Sequence, residues 1–333
     1  MRFPISLYSS LAWYLLKRKV RGEKIFPLVL MLEPTHQCNL NCQGCGKIRE
    51  YVDTRSQSMA LDECLQAVEA SRAPVISICG GEPLLYPEIK GLVEGILKKK
   101  RHIHLCTNAF YLSGFLCKFK PNPRLNINVH LDGLAESHNS LCGQKGVFER
   151  AIQGIREAKK RGFRVITNTT IYQNTSLTEI KVLFSYLTSL RVDGFLLAPG
   201  YHWPGVEKDL FLEKEEIFQR FRALCQCLQG FRVLNSPGYL KLLRGEITLP
   251  CTPWGNITRN PQGWKSPCYL ITDAHYPTYQ ELIGKTEWQR YRRREDPRCA
   301  HCLMHSGFEA TVALEGFKHP RDLFSLIRWN LFE

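Results

Sequence analysis

The sequence predicts an α/β fold, a partial barrel of six βα units followed by a small cysteine-rich extension. Short β-rich runs alternate with helical patterns from residue 27 to about 200, which is the rhythm of a parallel sheet. Polar or glycine residues follow the end of each predicted strand. After about Gly230 the rhythm breaks into sequence rich in Pro, Gly, Trp and Cys, which indicates a second unit.

Residues 1–26 are predicted to form a basic amphipathic helix ahead of the barrel. Apolar residues, including Leu11 and Trp13, are followed at once by Lys17, Arg18 and Lys19. The basic residues come after the apolar run and no small-residue cleavage site follows, so a signal peptide is not expected. Two alternatives stay open, a helix lying in a membrane interface and a helix covering the bottom of the barrel.

The barrel core is assigned to residues 27–229. Its predicted strands are Pro27 to Glu33, Val75 to Cys79, His102 to Thr107, Leu125 to Leu131, Arg164 to Ile171 and Gly194 to Ala198. Its predicted helices are Ala60 to Ala70, Tyr86 to Lys99, Leu112 to Phe119, Val147 to Arg161, Leu177 to Leu190 and Glu213 to Leu228. Because catalytic groups in parallel barrels come from the carboxyl ends of strands, the unusual residues at those ends are the candidate site.

Three cysteines lie directly after the first predicted strand, at Cys38, Cys42 and Cys45. A cubic iron–sulfur cluster has four iron corners, so three thiolates on one loop leave one iron open to another ligand. An open iron implies chemistry and not electron storage alone. A zinc knuckle and buried thiols without a role are the alternatives.

The extension, residues 230–333, carries four further cysteines, Cys251, Cys268, Cys299 and Cys302. Four thiolates complete the ligand set of a cubic cluster, and they equally satisfy tetrahedral zinc, so both stay open. Five more cysteines without partners at useful spacing are expected to be packing residues. They are Cys64, Cys117, Cys142, Cys225 and Cys227.

The chain is strongly basic, with 45 Lys and Arg against 31 Asp and Glu and a formal charge of +14. That balance indicates an anionic partner or a solvated basic surface. The many free thiols predict a reducing cytoplasm, with peripheral contact at the inner membrane surface left open. A zinc-bearing nucleic-acid binder would use the charge but gives no reason for the strand-end residues, so no nucleic acid is expected.

The chain resembles the radical S-adenosylmethionine (radical SAM) superfamily in its C-x3-C-x2-C run and in Gly80-Gly81-Glu82-Pro83 after the second predicted strand. The resemblance implies a partial (β/α)6 TIM barrel of the radical SAM type. It also implies a 4Fe–4S cluster on Cys38, Cys42 and Cys45, and reductive cleavage of SAM to methionine and a 5'-deoxyadenosyl radical.

The same resemblance implies which residues bind SAM. Backbone carbonyls of the Gly80, Gly81, Glu82, Pro83 turn would take the ammonium group, with the Glu82 side chain in support. Ribose or carboxylate contacts would come from Asn108, and from His130 or Asp132. The spacing from Cys251 to Cys302 resembles the SPASM and Twitch extensions, which implies an auxiliary 4Fe–4S cluster.

Longer segments resemble the adenosylhopane synthase family of hopanoid lipid biosynthesis along nearly the whole chain. They include Pro27 to Pro34, Cys38 to Ile48, Leu105 to Ala109, Val129 to Gly133, Ala198 to Tyr201 and Cys251 to Gly255. The resemblance implies addition of the 5'-deoxyadenosyl radical to the alkene of the triterpenoid diploptene. It implies a hydrophobic triterpenoid or isoprenoid substrate and a flavodoxin or ferredoxin type of reductant.

Addition leaves a tertiary carbon radical that needs a hydrogen atom. Cys106 lies two residues before Asn108 on the third predicted strand, and a thiol hydrogen is held more weakly than a tertiary C–H. Cys106 is the hypothesised donor, and a buried thiol facing away from the pocket is the alternative. The alternative function is hydrogen abstraction from a peptide or another isoprenoid, as in SPASM-type enzymes.

Overall fold

The computed structural model describes residues 2–316 and 328–330. Its strands are β1 Val29–Leu32, β2 Val75–Ile78, β3 His102–Thr107, β4 Leu125–His130, β5 Arg164–Ile171, β6 Phe195–Pro199, β7 Asn256–Asn260, β8 Gly263–Pro267 and β9 Thr272–Tyr276. The helices of the barrel are α1 Ile5–Val20, α2 Gly46–Glu50, α3 Leu61–Ser71, α4 Ile89–Lys98, α5 Leu112–Leu116, α6 Ala135–Cys142, α7 Val147–Lys160, α8 Leu177–Ser189 and α9 Lys214–Cys227. The helices that follow are α10 Pro237–Leu243, α11 Tyr279–Lys285, α12 Trp288–Arg292 and α13 His305–Gly316.

The described strands form one sheet in the order β6-β5-β4-β3-β2-β1-β7-β8-β9. Strands β1 to β6 pair in parallel with their sequence neighbours, so the predicted α/β barrel of six βα units is confirmed. The bounds of β3 and β5 coincide with the predicted ones. The short helices α2 and α6 were not predicted, since neither carries a run of apolar residues at helical spacing.

Alternation along the strands separates an apolar outer layer from the barrel interior. On β3, Ile103 and Leu105 are fully buried in the main core, whereas His104 and Cys106 point the other way and keep some exposure. Helix α7 buries one apolar face, including Ala151 and Ile155, in the same core. The core therefore lies between the sheet and its helices, and the interior is left to polar side chains.

The extension continues the barrel sheet. Strand β7 pairs in parallel with β1, from Val29 opposite Asn256 to Leu32 opposite Arg259. Strands β8 and β9 then add in antiparallel order. The predicted boundary at residue 230 is thus crossed by backbone hydrogen bonds, and β1 is an interior strand and not a sheet edge.

Helix α1 packs across the amino-terminal ends of the strands. The Tyr14 hydroxyl donates to the carbonyl oxygen of Pro27 at 2.7 Å, just ahead of β1, and Ser10 Oγ lies 3.4 Å from His102 Nε2 at the start of β3. The buried face of α1 therefore covers the bottom of the barrel, which is one of the two predicted alternatives. Among the described residues, no helix combines the length and the apolar character needed to cross a bilayer.

Because β7 covers β1, we expect a chain ending at residue 229 not to fold by itself. Its exposed β1 edge and uncovered apolar surface favour aggregation. Soluble yield, gel filtration and circular dichroism measure the effect, with a chain ending at residue 316 as the matched control because it keeps β7, β8 and β9. A monodisperse 1–229 fragment that unfolds cooperatively would contradict the expectation.

Candidate active site

The first cysteine loop connects β1 to α2, and two arginines hold its backbone. Arg49 donates to the carbonyl oxygens of Cys42 at 3.3 Å and Cys45 at 2.7 Å. Arg55 donates to the carbonyl oxygen of Cys38 at 3.1 Å. These contacts place positive charge beside a site that would carry thiolates, and the Cys38 Sγ accepts from Leu40 N at 3.4 Å.

Each of the three thiols is only partly exposed, at the carboxyl end of the barrel. Burial raises the pKa of Cys38 to about 12 and raises that of Cys45. A side-chain hydrogen bond with Cys142, followed by burial, raises the pKa of Cys42. Protons therefore stay on these sulfur atoms unless a metal replaces them. Cys142, expected to be a packing residue, lies in the small apolar cluster that also contacts Cys38 and Cys42.

The turn after β2 is pressed against the segment that precedes the cysteine loop. Gly80 has φ of 107°, and a Cβ there would lie 2.7 Å from the carbonyl oxygen of Thr35. A Cβ on Gly81 would lie 1.9 Å from the carbonyl oxygen of Gln37. The two glycines are thus required by the close approach of residues 35–37. That contact fixes the turn relative to Cys38.

Glu82 is buried and braces the end of β3. Its Oε1 accepts from Leu84 N at 3.0 Å and Thr107 Oγ1 at 2.7 Å, and its Oε2 accepts from Asn108 N at 2.9 Å. Burial raises the pKa of Glu82 to about 7 against the lowering effect of these hydrogen bonds. The carboxyl group therefore positions Asn108, whose amide nitrogen donates in turn to Asn39 Oδ1 at 3.0 Å within the cysteine loop.

His130 and Asp132 form a pair at the end of β4. His130 Nε2 lies 2.7 Å from Asp132 Oδ2, and Asp132 Oδ1 accepts from Thr170 N at 2.7 Å. Burial acts to lower the pKa of His130, but the charge of Asp132 and its hydrogen bond outweigh it and raise the pKa to about 9. The pair thus presents a charged donor at the same sheet edge as Asn108.

Cys106 faces the barrel interior, on the same side of β3 as Asn108 and two residues from it. Its Sγ lies 3.4 Å from Ser77 Oγ and accepts from Asn128 Nδ2 at 3.6 Å, so the side chains of three adjacent strands meet there. Burial raises the pKa of the thiol, which therefore keeps its hydrogen at neutral pH. The alternation of side chains along β3 therefore directs Cys106 towards the barrel interior.

The four cysteines of the extension, Cys251, Cys268, Cys299 and Cys302, line one cavity. Arg294 holds their loop by donating to the carbonyl oxygens of Cys299 at 2.8 Å and Cys302 at 3.1 Å. A Cβ on Gly307 would lie 2.4 Å from Cys251 Sγ, so the glycine leaves room for that thiol. Burial and the charges of neighbouring sulfurs raise the pKa of Cys299 to about 11 and of Cys302 to about 12.

These donor sets fit iron–sulfur clusters in their chemistry, since soft thiols gather around each site. Three lie on one loop, and four line one cavity. Within residues 2–316 and 328–330, no group of three or more His, Cys, Asp or Glu side chains is arranged to hold a single metal ion. A cluster places iron and sulfide between its ligands, so its thiolates stand further apart than the ligands of one ion.

A buried ion network lies between the two cysteine groups. Lys47, two residues after Cys45, has its Nζ 3.1 Å from Glu33 Oε1 and 3.6 Å from Glu50 Oε2. Glu50 Oε1 lies 2.7 Å from Lys265 Nζ, three residues before Cys268. Burial acts to lower the pKa of Lys47, but Glu33 outweighs it, so Lys47 stays charged, while burial and the charge of Lys47 lower the pKa of Lys265 to about 8.

Aromatic rings fill the space around this network. Lys47 Nζ lies 4.1 Å from the centre of the Tyr269 ring, and a Cβ on Gly46 would lie 1.9 Å from the Trp203 ring. Trp203 packs edge-on against Tyr201, at 5.2 Å between ring centroids, and Tyr201 contacts the second cysteine group. Sequence reasoning missed this network because Lys265, which completes it, lies 215 residues from its partner Glu50 in the chain. The only sequence signal was the position of Lys47 directly after the cysteine run.

Two family models match the chain. The radical SAM superfamily matches residues 32–187, and a domain of unknown function, DUF3463, matches residues 195–326. The first match contains the cysteine loop, the Gly80 to Pro83 turn and strands β2 to β5. The second contains β6 and all four cysteines of the extension.

Several curated proteins are similar in sequence. GTP 3',8-cyclase of Nautilia profundicola is 26% identical over 256 residues, which are 72% of this chain and 80% of the relative. GTP 3',8-cyclase of Helicobacter pylori strain ATCC 700392 / 26695 is 31% identical over 168 residues, 47% of this chain and 51% of the relative. Pre-heme d1 synthase of Dinoroseobacter shibae is 25% identical, covering 51% of this chain and 43% of the relative. The chain thus spans about half or less of the last two relatives.

Solved structures share the fold. Streptococcus suis SuiB bound to S-adenosylmethionine superposes with a TM-score of 0.66 at 16% identity, covering 92% of this chain and 77% of that chain. The enzyme anSMEcpe with bound AdoMet and the Cp18Cys peptide gives 0.61 at 17% identity, covering 91% and 99%. Fold and site define a parallel α/β barrel with a thiol-lined catalytic end. Together with the family model and the curated relatives, they support the radical SAM superfamily for this chain.

The predicted cofactors are confirmed as those of this superfamily, a 4Fe–4S cluster and SAM. When bound, they supply a 5'-deoxyadenosyl radical. In this chain, Cys38, Cys42 and Cys45 are the residues suited to the cluster. The turn at Gly80 to Pro83 lies beside that loop because Gly81 N donates to Thr35 O at 3.1 Å and Glu82 N to Gln37 O at 2.7 Å. Asn108 lies there through its bond to Asn39.

We expect Lys47→Met to lower stability by about 3 to 5 kcal/mol, because it leaves the buried carboxylate of Glu33 without its cation. Thermal and urea unfolding measure the loss. Lys90→Met removes an exposed lysine of an i,i+4 pair and serves as the matched control, with an expected change below about 1 kcal/mol. The double variant Glu33→Gln with Lys47→Met should recover part of the loss, and equal unfolding of all variants would refute a structural role for the network.

Proposed function

We propose that this protein cleaves SAM reductively and adds the 5'-deoxyadenosyl radical to an alkene of a hydrophobic triterpenoid, converting diploptene to adenosylhopane. The observation that carries the proposal is the place of Cys106, an interior thiol beside Asn108 at the catalytic end of the barrel. The extended sequence resemblance to the adenosylhopane synthase family supports the choice of acceptor. A flavodoxin or ferredoxin type of protein would supply electrons.

In the proposed site the residues have separate roles. The cluster is held by Cys38, Cys42 and Cys45, and the carbonyls of the Gly80 to Pro83 turn accept from the SAM ammonium. Asn108 contacts the SAM ribose or carboxylate, and it is positioned by the buried carboxyl group of Glu82. His130 and Asp132 offer a second polar contact at the neighbouring strand end.

The step assigned to Cys106 closes the addition. As C5' of the radical bonds to the terminal alkene carbon, the π bond breaks and leaves an unpaired electron on the tertiary carbon. The Cys106 S–H bond then breaks, its hydrogen atom forms the new C–H bond, and a thiyl radical remains. One electron from the protein reductant and one proton from solvent restore the thiol.

The second group of cysteines is proposed to hold an auxiliary 4Fe–4S cluster, with zinc as the competing occupant. Four partly buried thiols around one cavity support a cluster, whose ligands stand apart, whereas zinc would require them to close around a single ion. Metal analysis and electron paramagnetic resonance distinguish the two. A Cys299→Ala, Cys302→Ala double variant should lose whichever metal, iron or zinc, the wild-type site contains.

The second candidate function is hydrogen abstraction from a peptide. Solved structures of the same fold include SuiB bound to its precursor peptide SuiA and anSMEcpe bound to a peptide. Product analysis separates the two candidates, because addition consumes the adenosyl group whereas abstraction releases 5'-deoxyadenosine.

Replacing Cys38, Cys42 and Cys45 by alanine should abolish SAM cleavage, because no thiolate remains to hold the catalytic cluster. Iron content after anaerobic reconstitution should fall to about half if the extension holds its own four-iron cluster. Cys117→Ala, at an exposed cysteine outside both groups, is the control and should keep wild-type iron. Turnover retained by the triple variant would exclude the assigned cluster site.

Incubation of the reconstituted protein with SAM, dithionite and diploptene should yield adenosylhopane by mass spectrometry. In D2O the wild-type product should carry one deuterium at the former alkene carbon, because the Cys106 thiol exchanges with solvent. Cys106→Ser should lower the yield of saturated adduct at least tenfold while methionine formation continues, since an O–H bond is too strong to donate. Saturated adduct at wild-type yield would remove Cys106 from the mechanism, and 5'-deoxyadenosine as the only nucleoside product would remove diploptene as acceptor.

A further inference from the structure

Helix α1 has two apolar faces, and only one of them is buried. Leu7, Tyr14 and Arg18 point into the protein, with the Arg18 guanidinium 4.6 Å from the centre of the Tyr14 ring. Tyr14 also packs against Phe26 just ahead of β1. This inner face is what attaches the helix to the bottom of the barrel, so the helix itself is a firmly held element.

The outer face of α1 exposes an apolar stripe that only Ser9 interrupts. Ile5 is 65% exposed, Trp13 68%, Leu16 53% and Val20 78%. At 100° per residue these four side chains fall within one sector of the helix surface. Of the seven large apolar side chains that are exposed in the described part of the chain, four belong to this stripe, and the others are scattered over different elements. Isolated exposed apolar residues are ordinary, whereas a stripe of this length marks a contact surface.

Positive charge borders the stripe at its carboxyl end. Lys17 and Lys19 are exposed on either side of it, and Arg21 and Lys24 follow in the next turn. Helix α1 contains no acidic residue, and the nearby Glu23 is paired with the inward Arg18. Arg21 also lies 3.9 Å from Glu23, which leaves Lys17, Lys19 and Lys24 as the basic side chains beside the apolar ones. This composition is the one that binds anionic bilayer surfaces.

We propose that the outer face of α1 docks onto the surface of a bilayer that contains anionic phospholipid. Trp13, Leu16 and Val20 would enter the boundary between headgroups and acyl chains, and Lys17 and Lys19 would contact lipid phosphates. Since α1 lies at the amino-terminal ends of the strands, the catalytic end of the barrel faces away from this contact. The proposal is one of anchoring, and it does not rest on the identity of the acceptor substrate.

Vesicle sedimentation with the full chain tests the proposal without any activity measurement. The protein should sediment with vesicles of equal parts phosphatidylcholine and phosphatidylglycerol, at least tenfold more than with phosphatidylcholine alone, and the difference should shrink as salt rises. Trp13→Glu with Leu16→Glu should lower the partition coefficient at least tenfold. The matched control is Val52→Glu with Val182→Glu, which changes two equally exposed apolar residues outside α1 and should leave binding unchanged.

Lys17→Glu with Lys19→Glu should weaken binding to the anionic vesicles selectively. Gel filtration with light scattering of every variant reports whether the stripe is instead covered by a second copy of the chain. Absence of wild-type sedimentation with anionic vesicles overturns the proposal, as does equal loss in the Val52 and Val182 control. A dimer that the Trp13 and Leu16 variant dissociates, without vesicle binding by the wild type, assigns the face to self-association and also overturns it.

Discussion

The geometry of both cysteine groups depends on the buried ion network of Glu33, Lys47, Glu50 and Lys265. A buried charge is tolerated only when its partner is in place, so these four side chains are stabilising only after the β1 end, helix α2 and strand β8 have come together. The network therefore ties the loop of Cys45 to the loop of Cys268 in the folded state. The parallel pairing of β7 with β1 makes a second connection between the same two parts of the chain, so the extension continues the barrel sheet.

Local pattern was sufficient to predict the barrel strands, because each is a short, largely apolar run between turn residues, at the spacing of βα units. Strands β3 and β5 were predicted to the residue for this reason. Strands β7 to β9 were not predicted. The sequence of β8, Gly-Trp-Lys-Ser-Pro, lacks the apolar character of a buried strand, because a lysine is ordinarily exposed. In the structure Lys265 is buried and neutralised by Glu50, a partner that no local pattern reveals. Helix α6 escaped prediction because its sequence is mostly polar.

At the candidate site, residue type and spacing predicted which residues gather at the strand ends but not what each contacts. The glycines of the turn after β2 are required by the backbone at Thr35 and Gln37, and the Glu82 carboxyl group accepts hydrogen bonds from the β3 end. A carboxyl group takes whichever donors the neighbouring strands present, and those are set by register between strands. Orientation across strands, such as that of Cys106 towards Ser77 and Asn128, is likewise a property of the sheet.

The polar interior restricts where an apolar acceptor can sit under the proposed function. Three buried polar atoms lack a hydrogen-bond partner in the part of the chain that the structure describes: Asn128 Oδ1, level with Cys106, and Asn126 Oδ1 and Arg164 Nε in the layer below. Burying such groups against hydrocarbon costs free energy, whereas water molecules in the same place could hydrogen-bond to them. A polycyclic substrate body is therefore disfavoured deep in the barrel. Only the alkene end needs to approach Cys106, because addition and hydrogen transfer both occur there. The acceptor is therefore expected to lie across the open strand ends with its terminal carbon directed inward.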